Sequence, residues 1–183
     1  MNVWAGTSGF SYKEWRGSFY PEKIKPEHML GFYAEQLPSV ELNNTFYRMP
    51  RASAVESWAS QVGEAFRFAL KASRRITHMS RLANCTDSLE YMFRVTEPLG
   101  KLLGCWLFQL PPTMKRDDER LAAFMKDLPP NTRAAFEFRH PSWFDADVFA
   151  RLRDHDAALV GGDLDEAHKN PPFEPTASWT RKR

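Results

Sequence analysis

Short apolar runs alternate with helix-patterned stretches along most of the chain, and that alternation limits the folds open to it. Six runs have strand character, at residues 3–7, 40–43, 66–71, 105–110, 133–138 and 157–161. The third is the clearest: Phe66, Phe68 and Leu70 fall on one face, with Arg67, Ala69 and Lys71 on the other. Between the runs, apolar residues recur at helical spacing. They are Met29, Leu30, Tyr33 and Leu37 in 26–37, and Val55, Trp58 and Val62 in 53–62. Leu121, Phe124, Met125 and Leu128 mark 118–128, and Val148, Phe149 and Leu152 mark 145–155. Another helix is expected from about Ser88, where Asp87 and Glu90 have the spacing of a capping box. The order is strand–helix five times, then a sixth strand. Parallel strands joined by crossover helices follow from that order.

An open doubly wound sheet and a barrel both satisfy the order. Central strands of an open sheet are covered on both faces and read as continuous apolar runs. Here the second, third and fifth runs mix apolar with polar residues, which suits the lined mouth of a barrel. No glycine-rich phosphate fingerprint follows any run; GTSGFS at 6–11 lacks the spacing and leads into no prompt helix. The expected class is α/β, a TIM-barrel-like (β/α) fold. With 183 residues against roughly 250 for a full barrel, about six of eight βα units are expected. Residues 1–163 are assigned to this partial barrel and 164–183 to a polar, Pro-rich C-terminal tail. Within the tail, SWT at 178–180 has the look of the approach to a seventh strand, after which the chain stops at RKR.

Composition excludes several classes. Hydrophobic residues make up 43% and charged residues 26%, as in a soluble globular domain and unlike a disordered chain. The longest uncharged apolar stretch, 102–110, is far short of the ~20 residues of a membrane span. Cys85 and Cys105 fit neither a metal nor a redox spacing, so a reducing compartment is expected. No leader pattern is present at the start. Together these point to the cytoplasm. A net charge of +2 is too small to argue for nucleic acid by itself.

Ligands in such folds meet the carboxyl ends of the strands. The second strand ends in Glu41 and Asn43, the third in Lys71, and the fourth in Gln109. The fifth ends in Glu137 and Arg139, followed by His140. Glu41 and Glu137 are the candidate acid and base, with Lys71 and Arg139 to hold or polarise an anion. The same charges could equally form a paired polar plug with no chemistry. A metal held by Glu41, Glu137, His140 and Asp163 is a weaker possibility, because no HxH, HExxH or CxxC motif supports it. Lys71, Arg74, Arg75, His78 and Arg81 form a basic loop, 71–81, that reads either as a solvated face or as a phosphate or nucleic-acid site. Phe10, Tyr12, Trp15, Phe46, Tyr47 and Trp143 fall near the expected mouth, for packing or for stacking on a sugar or base. Ser8 and Ser11 lie in the first loop but form no recognisable nucleophile motif.

Five blocks, GTSGFSYKEWRGSFYP, VELNNTFYRMP, FRFALKASRRITH, LGCWLFQLPP and AFEFRHPSW, run in this order through about 3–162. By these blocks the sequence resembles the domain-of-unknown-function 72 family, the YecE-like proteins. The resemblance implies a TIM-barrel-like fold, no established reaction, and a shared pocket. Its blocks carry over onto Thr7, Ser8, Tyr12, Trp15, Glu41, Asn43, Thr45, Tyr47, Lys71, Gln109, Glu137, Arg139, His140 and Trp143. The leading expectation is a domain binding a polar or anionic small molecule, with general acid–base chemistry by Glu41 or Glu137. The set of ligand-binding residues expected around them is Tyr12, Trp15, Asn43, Tyr47, Lys71, Gln109, Arg139 and His140. The alternatives are a nucleic-acid or phosphate-ligand binder using 71–81, and an inactive barrel remnant.

Overall fold

The computed structural model describes residues 3–162, 174–179 and 181–182. The strands are parallel, follow one another in sequence order and alternate with helices. The fold is therefore α/β and TIM-barrel-like, with about six of the eight βα units of a full barrel. The chain forms two compact units. Of the described residues, one comprises 3–71 together with 92–104; the other comprises 72–91 and those from 105 onward.

In the first unit, β1 (Gly6–Ser8), β2 (Ser39–Leu42) and β3 (Arg67–Lys71) pair in parallel. Their register places Ser8, Glu41 and Ala69 in one row across the sheet. The pleat then divides the faces. Val40, Leu42, Phe68 and Leu70 are buried, as the alternation in the third run predicts. The other face carries Ser8, Glu41, Ala69 and Lys71. Helix α1 (Met29–Gln36) buries Met29, Leu30 and Tyr33. Tyr33 binds the unit together: its hydroxyl accepts from the Thr7 amide at 2.9 Å and donates to the Ser39 carbonyl at 2.9 Å. Helix α3 (Ala52–Ser60) contributes Val55.

Three local expectations shift. The first strand begins at Gly6 rather than residue 3. Val3 and Trp4 stay exposed, Trp4 being tethered through its indole N–H to the Ala65 carbonyl. The polar stretch after β2 is not all loop, because α2 (Asn44–Tyr47) forms within it. Its Thr45 hydroxyl bonds back to the Leu42 and Lys71 carbonyls at 2.9 and 2.7 Å. Helix α4 (Thr86–Thr96) starts before Ser88, so Asp87 lies inside its first turn instead of capping it. There its carboxylate favours the positive end of the helix dipole.

Strand β4 (Leu103–Gln109), in the second unit from Cys105, pairs from Trp106 onward with β5 (Ala134–Glu137), and β5 pairs with β6 (Ala158–Gly161). From Cys105 to Leu110 every residue is buried, so this strand is covered on both faces. Cys105 is a small core residue, as expected, and neither Cys85 nor Cys105 forms a disulfide. Phe108 lies 5.1 Å from Phe124 and 5.4 Å from Phe136, ring centre to ring centre. Phe124 comes from α5 (Asp118–Asp127), capped by the Asp117 carboxylate, which accepts from the Arg120 amide. Helix α6 (Ala146–Asp154) buries Val148 and Leu152.

The approach to a seventh strand read in SWT is matched by β7 (Arg181–Lys182), which pairs in parallel with Val160 and Gly161. Ahead of it, buried Thr176 donates its hydroxyl to the Ala157 carbonyl and accepts from the Leu159 amide, both at 2.7 Å. A side chain here supplies the pairing that a neighbouring backbone would otherwise give. Ser178 and Trp179 bond to Asp156. Among the described residues, no helix is long and apolar enough to cross a membrane.

Candidate functional site

The carboxyl end of β1–β3 gathers polar groups on a single face. Ser8, at the end of β1, is registered with Glu41 of β2. Its hydroxyl donates to Glu41 Oε1 at 2.9 Å, and the Asn43 side-chain amide donates to the same hydroxyl at 2.5 Å. Glu41 is buried. The result is a directed chain, Asn43 to Ser8 to Glu41, that orients a desolvated carboxylate. Asn43 follows β2 and opens α2 with αR backbone. Among the described residues, Asn43 Oδ1 is a buried side-chain oxygen with no hydrogen-bond partner. A buried acceptor of this kind calls for a donor.

Lys71 ends β3, two residues beyond Ala69 on the same face. Its Nζ lies 4.7 Å from the centre of the Phe46 ring, a cation–π contact that holds the ammonium at the strand end. Tyr12 and Trp15 sit in the loop after β1. The Tyr12 hydroxyl donates to the Ser8 carbonyl, and its ring lies 4.7 Å from that of Trp15. Trp15 is half-buried and packs on Phe19 and Tyr20. Tyr12 is exposed, and Tyr47 is the most solvent-facing of the candidate aromatics.

In the second unit, Gln109 and Glu137 are direct register partners. Buried Gln109 donates to Glu137 Oε1 at 2.7 Å, and Arg139 Nε donates to the same oxygen at 3.1 Å. Arg139 is exposed, so this ion pair faces water on one side. His140 caps the turn Pro141–Trp143, its Nδ1 accepting from the Ser142 amide at 3.2 Å. Trp143 belongs to the core and not to a site. It is fully buried, and its ring lies parallel to Phe138 at 4.7 Å. The basic loop contains a π-helical turn, Arg75–Met79, with Arg74 and Arg75 exposed. His78 Nδ1 lies 2.9 Å from the Thr77 hydroxyl.

The metal possibility finds no donor cluster. Among the described residues, no three His, Cys, Asp or Glu side chains are grouped to hold an ion, and Asp163 lies outside those residues. Ser8, carried by the family blocks but outside the expected ligand set, is by register the central link of this network. Its signal was positional: it is the residue immediately after the first apolar run.

The loops that follow β4 and β5 are joined by Arg116. Its guanidinium meets Asp118 at 2.7 Å, Asp145 at 2.8 Å and Asp147 at 3.4 Å. The Asp147 amide, and then Arg116, hold the Asp145 carboxyl below the usual aspartate range. A depressed folded-state value stabilises the protein above the unfolded pKa, and that stability is lost as pH falls through the folded value. Asp145→Asn should therefore melt with a shallower loss of Tm on acidification than the parent chain. Parallel acid profiles for the two proteins would remove Asp145 from the acid response.

The chain is 32% identical over 154 residues to UPF0759 protein YunF of Bacillus subtilis (strain 168), covering 78% of this chain and 52% of that protein. It thus spans about half the length of that curated relative. A crystal structure of a DUF72 family protein from Thermotoga maritima MSB8 matches with a TM-score of 0.84 and 28% identity, over 98% of this chain and 72% of that one. A DUF72 family protein from Enterococcus faecalis V583 matches in fold, with a TM-score of 0.76 at 24% identity, over 97% of this chain and 69% of that one. The family model described as "Protein of unknown function DUF72" matches residues 4–183. The chain belongs to the DUF72 family.

Proposed function

We propose that the chain binds a polar, anionic small molecule at the carboxyl ends of its strands, with general acid–base chemistry at its buried or half-buried carboxylates. One observation carries this reading: Ser8, Glu41, Asn43 and Lys71 share one face at the end of β1–β3. Lys71 supplies the charge for an anion. Glu41, oriented by Ser8, is the group to take or give a proton. Glu137, held by Gln109 and Arg139, is the second candidate acid–base group, on its own strand end.

Inorganic phosphate is the simplest probe. Titration followed by amide chemical shifts should give saturable changes at Ser8, Glu41 and Lys71. Lys71→Met should weaken them by about tenfold or more, the scale of one charge-assisted contact. Shifts that never saturate, or that survive in Lys71→Met unchanged, overturn the reading. A second reading rests on exposed Arg74 and Arg75: binding of a single-stranded oligonucleotide that collapses with added salt and with Arg74→Ala and Arg75→Ala together. Salt-independent binding, or none, rejects it.

A further inference from the structure

We propose that the β1–β3 end takes a sugar monophosphate, an inference that rests on the anion reading above and names its ligand class. Three features of one unit support a sugar in addition to a charge. The first is the donor and acceptor set. Glu41 accepts from Ser8, Ser8 accepts from Asn43, and the Asn43 amide carries both donor hydrogens and an acceptor oxygen, which is the mixture that hydroxyl groups require. Asn43 Oδ1 adds a buried acceptor still lacking a donor, and a ligand hydroxyl supplies one.

The second feature is space and reach. Ala69, the register partner of Glu41, ends in a methyl group, so β3 sets no long side chain directly beside the carboxylate. Lys71 lies two residues further along its strand, about 7 Å by strand rise. That separation suits a ring hydroxyl at Glu41 and an exocyclic phosphate at Lys71. The ammonium acts there as a point charge on phosphate.

The third feature is an aromatic wall. Tyr12 is pinned to the Ser8 carbonyl and braced by Trp15, yet remains 40% exposed. Gly9 permits this approach: its φ is +86°, and a Cβ there would lie 2.7 Å from the Tyr12 hydroxyl. A ring fixed beside hydroxyl-binding groups offers an apolar face to the C–H side of a sugar. An anion alone has no use for it.

Calorimetric titration of the whole chain with glucose 6-phosphate, ribose 5-phosphate, glucose and inorganic phosphate tests the inference. At least one sugar phosphate should bind about tenfold more tightly than phosphate, equivalent to roughly 1.4 kcal/mol. Tyr12→Leu removes the flat face and should erase that gain, whereas Tyr12→Phe keeps the ring and should retain it. Sugar phosphates that bind no more tightly than phosphate overturn the sugar assignment and leave the anion reading standing. Failure of phosphate and sugar phosphates alike to saturate overturns both. Equal effects of Tyr12→Leu and Tyr12→Phe overturn the aromatic wall.

Discussion

Trp143→Ala should lower the free energy of unfolding by about 3–5 kcal/mol, the range for removing a fully buried large aromatic side chain. Nothing of Trp143 reaches solvent. Its ring stacks on Phe138 at an interplanar angle of 5°, and its indole N–H donates to the Met114 carbonyl at 2.8 Å. Truncation forfeits the stack, opens a cavity and leaves a buried carbonyl without its donor. The surrounding turn cannot collapse easily, because His140 and Ser142 fix its entry and the Arg116 amide bonds to the Ser142 hydroxyl at 2.8 Å. Trp143→Phe separates the contributions: it refills most of the space and should cost about 1–3 kcal/mol, mainly for the lost hydrogen bond. Urea unfolding measures both. A loss of under about 1 kcal/mol for the alanine variant would contradict this account of the packing.

Trp143 also shows where sequence reading stops. An aromatic residue just beyond a strand, inside a block shared with a family, more often packs than binds, but its sequence alone does not say which it does. The choice is made by Met114, 29 residues away, which accepts the indole proton. Periodicity within one element carries no such information. The third strand was legible because its two faces meet different surroundings, buried Phe66, Phe68 and Leu70 against half-exposed Arg67, Ala69 and Lys71. The fourth concealed its faces because both are covered. Helix α2 was hidden because NNTFY has neither length nor apolar spacing; its Thr45 hydroxyl is anchored by the Leu42 and Lys71 carbonyls instead.

The same division holds for the candidate site. Glu41, Asn43, Lys71, Gln109 and Glu137 were readable from strand ends, because the pleat fixes which residues share a face. Ser8 enters only through the family blocks, because its importance comes from a register with a residue 33 positions away. For His140, a place after a strand and before Pro141 admits both a ligand and a turn cap, and its Nδ1 caps the turn.

Gly6 ties strand pairing to the site, and Gly6→Ala should therefore damage both. A Cβ at this position would lie 2.0 Å from the Ser39 carbonyl oxygen and 2.6 Å from its carbon. The obstacle is backbone, and that carbonyl is itself held by the Tyr33 hydroxyl at 2.9 Å. Neither strand can yield without breaking the β1–β2 register, so a cost of about 1–3 kcal/mol is expected, as for overpacking. The register also sets Ser8 opposite Glu41. Displacing β1 separates the two and leaves the buried carboxylate without the hydroxyl that orients it. Phosphate binding should weaken in Gly6→Ala at temperatures where the protein is still folded. Gly63→Ala is the control, since a Cβ there meets nothing within 4 Å and should change stability by less than about 0.5 kcal/mol. If Gly6→Ala were as stable as Gly63→Ala and bound phosphate equally well, β1 could not be a fixed wall of the site. Ser8 would then lose its place in the network with Glu41 and Asn43.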